Sequence, residues 1–176
     1  PLENIPADAE PGVGTTYEIP EGNMFEPDAE DARPEIYAMG FRQPFTVQTD
    51  PANPGTVTVG EYCHDNSSNG ANRAPAGVCE WNLLNEPGFH GWPYCVGDNS
   101  PINSSYRWDY ANSTSTGEQY DCSAEEIPAD LDWAPDGQTN PGPTFQGRDT
   151  IPGPAVPATI WKKYPNAPGG QDPADF

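Results

Sequence analysis

Four cysteines, two histidines and three asparagine sequons are the residues in this 176-residue chain whose types and spacing could do chemistry. Cys63, Cys79, Cys95 and Cys122 are even in number and contain no C-x-x-C, which argues for disulfides rather than a zinc knuckle. Three pairings are possible. Closeness in sequence favours Cys63–Cys79 and Cys95–Cys122, because short loops are the cheapest to close. Cys63-His64 together with Cys79 offers soft metal ligands, but the spacing fits no standard zinc pattern. His64 is also a candidate general base, although a lone loop histidine is more often a surface residue. The sequons at Asn66, Asn103 and Asn112 fall in Ser/Asn-rich loops. With the disulfides they point to an extracellular, glycosylated protein.

Composition narrows the partners that such residues can serve. With 27 Asp+Glu against 7 Lys+Arg the net charge is −20, so nucleic acids and anionic membranes find no basic patch to bind. No apolar run approaches the roughly 20 residues of a membrane-spanning helix. The 23 prolines, spread along the chain, exclude a helical bundle. Low hydrophobicity with high charge is a signature of disorder, but 11% aromatic residues indicate a folded core. Self-repulsion at this charge is easiest to tolerate in high salt, which points to a halophilic source. The chain opens at Pro1 without a charged and then apolar leader, and is read as processed or excerpted.

The elements that must position these residues are short strands. Residues 1–16 read as an acidic linker, followed by the isolated anchors Ile19, Met24 and Phe25. A first element is expected over Glu35–Met39, then a Gly40-Phe41-Arg42 turn. Phe45–Thr49 and Thr56–Glu61 alternate and carry β-branched residues, predicting an antiparallel pair across the turn-forming run Asp50–Gly55. Val78–Leu84 is predicted as a third strand, with Val78, Glu80, Asn82 and Leu84 on one face and Cys79, Trp81 and Leu83 on the other. Residues 97–155 show little periodicity and read as a loop-rich insert pinned by Tyr106, Trp108, Tyr110, Tyr120 and Trp133. A last strand is expected within Ala158–Tyr164. The whole is all-β, of the kind that builds sandwiches, barrels or propeller blades, with no internal repeat.

Three words stand in order: I-P-x-G-N-M-F at Ile19–Phe25, R-P-E-I-Y-A-M-G-F-R-Q-P-F at Arg33–Phe45, and P-G-F-H-G-W-P-Y-C at Pro87–Cys95. Together they resemble the glucose/sorbosone dehydrogenase family, the soluble quinoprotein sugar dehydrogenases. P-A-T-I-W-K-K-Y at Pro157–Tyr164 also looks like a family strand. The resemblance spans residues 17–95 and 157–164. It implies a single partial β-propeller domain over residues 1–176: blade segments of a six-bladed propeller with long irregular loops. The remaining blades would come from the same or another chain, since 176 residues cannot close six.

The resemblance further implies pyrroloquinoline quinone and calcium as cofactors, with sugars oxidised by hydride transfer to the quinone. Arg42 matches the family's pocket arginine, and Gln43 stands where the family has Asn. Both are the expected cofactor-binding residues, because a planar, always-charged guanidinium can hold carboxylate and quinone oxygens. Cys63-His64 replaces the Gly-Pro pair whose carbonyls hold the quinone-bridging calcium. Glu80 matches an acidic ligand of a structural calcium, with the His90 carbonyl and Asp98 as further oxygen donors. The family's catalytic histidine lies in blades outside this chain, so no catalytic residue is assigned here and the isolated chain is expected to be inactive. Trp92 and Pro93 read as packing, though an aromatic face also stacks on a sugar ring. Two functions compete: a segment of a secreted sugar dehydrogenase, or a non-catalytic, calcium-stabilised extracellular protein that keeps the scaffold for binding or assembly.

Overall fold

A computed structural model describes residues 22–26, 32–109, 112–129 and 150–163. Residues 1–16, Ile19, Tyr110, Trp133 and Tyr164 lie outside them, as does much of the expected insert. The described residues form ten strands and one 3-10 turn (Pro101–Asn103). The strands are β1 (Ala38–Met39), β2 (Pro44–Thr49), β3 (Val57–Glu61), β4 (Val78–Leu84), β5 (Gly88–Phe89), β6 (Tyr106–Asp109), β7 (Thr114–Gln119), β8 (Glu126–Pro128), β9 (Thr150–Pro152) and β10 (Ile160–Lys163). The protein is all-β, in several small sheets with no closed sheet among them.

The largest sheet has the order β10-β4-β3-β2 and is antiparallel throughout. Its first hairpin follows from turn chemistry. Asp50 accepts from the Ala52 N–H at 2.8 Å and from the Asn53 amide at 2.6 Å, and Gly55 takes φ +94°. The alternation in β4 holds: Val78, Glu80, Asn82 and Leu84 are buried, while Cys79 is half-buried and Trp81 and Leu83 are exposed. β10 closes the other edge, pairing Trp161 with Glu80 and Lys163 with Val78. It occupies 160–163, the inner part of the expected strand, and β1 likewise occupies only the last two of the five expected positions.

Residues 97–155 differ from the expected irregular insert. They contain the antiparallel pairs β6–β7 and β8–β9. They also complete a core of Phe89, Tyr94, Cys95, Tyr120, Cys122, Ile127, Ile151 and Ala155. Strand β7 reads Thr-Ser-Thr-Gly-Glu-Gln and buries almost nothing, so no apolar alternation announces it. Disulfides join Cys63 to Cys79 and Cys95 to Cys122, the pairing that sequence closeness favours. The first ties the exit of β3 to the start of β4. The second ties the 87–96 segment to the β8–β9 unit, where the Tyr94 and Tyr120 rings lie 4.2 Å apart.

Candidate functional site

The words at 33–45 and 87–95 meet in space. β1 and β5 pair in parallel, Ala38 with Gly88 and Met39 with Phe89. The pairing continues as the His90 N–H donates to the Met39 carbonyl (2.7 Å) and the Trp92 N–H to the Gly40 carbonyl (2.9 Å). Gly40 permits this closeness: it has φ +87°, and a Cβ there would lie 2.6 Å from the Phe89 ring and 2.8 Å from the Gly91 nitrogen. From this turn Phe41 stacks on His90 at 4.7 Å, and the Arg42 guanidinium lies 5.8 Å from the centre of the Trp92 ring.

Arg42 is held on several sides. Its guanidinium donates to the Cys63 carbonyl at 3.2 Å and to Gln43 Oε1 at 3.4 Å, and it pairs with Asp65 at 3.4 Å. Asp65 is largely exposed, so that ion pair contributes at most about 1 kcal/mol. The Arg42 backbone N–H donates to Glu61 Oε1, and the Gln43 N–H reaches the same oxygen at 3.3 Å. Glu61 therefore fixes the turn that presents Arg42. Sequence reasoning assigned it no role; the signal available was a carboxylate at the inward end of an alternating strand.

His64 is buried, contrary to the surface position expected of a loop histidine. Its ring lies 5.4 Å from Trp92, and Nε2 is 3.0 Å from the Pro75 carbonyl. Burial lowers its pKa despite that hydrogen bond. It is packed as part of the wall, with neither Cys63 nor Cys79 available as a metal thiolate beside it.

Glu61 and Glu80 are direct partners across β3 and β4, so their carboxylates share a face. Desolvation raises the pKa of both, and Glu80 is pushed to about 7, with the neighbouring Glu61 charge adding to the rise. Glu80 Oε1 accepts from the Gly97 N–H at 2.6 Å, and its Oε2 from the Asn82 amide at 3.4 Å. Glu61 Oε2 and Asn82 Oδ1 are buried without hydrogen-bond partners. These hard oxygens beside paired carboxylates suit calcium in chemistry, although among the described residues no three His, Cys, Asp or Glu side chains converge as a metal cluster.

His90 has its ring buried against Phe41, both ring nitrogens without partners and a pKa lowered to about 4 by desolvation. Asp98 follows Gly97 and so approaches Glu80, but its Oδ1 already accepts from Ser100 N–H, Ser100 Oγ and Asn103 Nδ2. Of the three sequon asparagines, Asn103 is 1% exposed with its amide nitrogen donating to Asp98. Asn66 is half-buried and donates to the Pro75 carbonyl, whereas Asn112 sits exposed on the β6–β7 turn.

The quinone is a tricarboxylate and needs clustered cations. Here Arg42 is the cation at the turn, and it is countered by Asp65 with Glu61 behind it. The Cys63 carbonyl is engaged by Arg42 and the His64 carbonyl by the Asn66 N–H at 2.8 Å. No protein-family model, curated protein or solved structure matches the chain.

Proposed function

We propose that the chain is a sector of an extracellular propeller of the quinoprotein sugar dehydrogenase kind, serving as calcium-stabilised scaffold for binding or assembly. The observation that carries this reading is the β10-β4-β3-β2 sheet. A propeller blade is a four-stranded antiparallel sheet packed by neighbours on its faces. Here one face buries Val59, Val78, Asn82 and Leu84, and the other leaves Trp81 and Leu83 38% exposed and Ile160 47% exposed. Such a face asks for cover, which further blades from the same or another chain would provide. Calcium beside Glu61, Glu80 and Asn82 would relieve the buried like charge. The two disulfides and the exposed Asn112 sequon suit an extracellular setting. Among the described residues no helix is long and apolar enough to cross a membrane.

The test is Trp81→Ser with Leu83→Ser, made both in the 176-residue chain and in the complete protein that contains it. In the isolated chain the pair should change stability by under about 1 kcal/mol, as for exposed positions. In the complete protein it should break assembly or cost several times more. Equal small effects in both would reject the reading.

A second reading, that the complete propeller oxidises sugars with this sector lining its pocket, is favoured by the meeting of the Arg42 turn with Trp92. The quinone would supply the hydride acceptor. Arg42 would bind anionic oxygen beside it, Glu61 holding the turn in place. Dye reduction by the complete protein with sugar, quinone and calcium tests it. Arg42→Ala should lower the rate at least about tenfold, and an unchanged rate removes Arg42 from the chemistry.

A further inference from the structure

A groove of about 450 Å³ lies between the 69–75 loop and the Pro101–Tyr106 segment, within the size range of small-molecule sites. None of its described lining residues is Asp, Glu, Lys, Arg or His, in a chain of net charge −20. Its polar groups are the carboxamides of Asn69, Asn72 and Gln119, the Ser104 hydroxyl and Tyr106. Ile102, 53% exposed, adds an apolar rim.

The walls are braced before any ligand arrives. The Tyr106 N–H donates to the Arg73 carbonyl at 2.7 Å, and the Gly70 N–H to the Ala74 carbonyl at 2.9 Å. Gln119, the cross-strand partner of Tyr106, donates through Nε2 to the Pro101 carbonyl at 2.7 Å and the Ser104 carbonyl at 3.3 Å. That leaves Gln119 Oε1 as an acceptor. Asn69 Oδ1 takes the Ala76 N–H at 2.8 Å, leaving its amide donors. Arg73 is drawn away, over the Trp108 ring at 4.7 Å. Asn72 holds φ +53° at the loop tip.

We propose that this groove binds a neutral oligosaccharide. Among the described residues the groove offers no charged side chain to compensate the desolvation of a charged ligand, which favours a neutral occupant. Carboxamides present donors and acceptors in one plane, matching sugar hydroxyls that both donate and accept. Tyr106 and Ile102 offer surface to the C–H face of a pyranose ring. An extended peptide is disfavoured, because strand addition requires free main-chain groups. The wall carbonyls of Ala74, Pro75, Pro101 and Ser104 are all bonded within the protein. The groove shares no lining residue with the Arg42 turn, and the inference does not rest on the propeller reading.

The test is calorimetric titration of the full chain, without added quinone, with cellotriose, maltotriose, laminaritriose, mannotriose and chitotriose peracetylated at nitrogen, and with a galacturonate trimer as the charged control. At least one neutral trisaccharide should bind one-to-one. Asn72→Gly, which keeps the left-handed backbone and removes the amide, should weaken it roughly five- to tenfold. Ala71→Glu, an exposed wall position, should weaken it at least as much while leaving the melting temperature unchanged. No neutral binding up to about 10 mM, binding equal in both variants, or preference for the galacturonate would each overturn the proposal.

Discussion

Glu80 carries the most consequential electrostatics in the molecule, because burial and Glu61 together raise its pKa to about 7. An acid whose folded pKa lies above its unfolded value binds its proton more tightly when folded. Its contribution to stability is full below the unfolded value of 4.5 and is lost as pH rises to about 7. The size of that loss is on the order of 3 kcal/mol. In chelator, denaturant titrations should show Glu80→Gln matching the parent at pH 5 and exceeding it by about 1–3 kcal/mol at pH 8. Calcium at pH 8 should raise the melting temperature of the parent and leave the Gln variant unmoved. A parent more stable than the Gln variant at pH 8 in chelator would show that the carboxylate is better satisfied than its surroundings indicate.

At the scale of elements, the Gly40 turn holds the candidate site together. Gly40→Ala combines a positive φ with a Cβ 2.6 Å from the Phe89 ring, and should destabilise by about 2–4 kcal/mol in chemical denaturation. Near-neutral behaviour would mean that the β1–β5 contact is not fixed as described. Strands β2, β3 and β4 were legible because alternation and the Asp50–Gly55 turn agree with each other. Strands β6 to β9 were not: β7 is polar throughout, β6 shifts register between Tyr106 and Trp108, and β8 and β9 span three residues each. Arg42 could be singled out from the word around it, and Glu80 from its place on the strand expected over Val78–Leu84. Alternation along β4 already set Asn82 on the face of Glu80, whereas Glu61 became visible only when register set it opposite Glu80, since cross-strand neighbours leave no mark in a single sequence.

For the whole molecule, charge and uncovered surface are the governing facts. At −20 the chain repels itself, and added salt shortens the screening length from about 10 Å at 0.1 M to about 3 Å at 1 M. The melting temperature should therefore climb steadily from 0.1 to about 2 M sodium chloride. A flat profile would argue against a high-salt habitat. The exposed Trp81–Leu83–Ile160 face and the outer strand β2, with Phe45 78% and Val47 62% exposed, are the surfaces that the proposed neighbouring blades would cover. Native mass spectrometry of the protein purified from its source tests this most directly. A longer polypeptide, or an assembly in which this chain is joined to further blades and releases calcium on denaturation, is the predicted result. A lone, calcium-free 176-residue monomer, glycosylated or not, would contradict it.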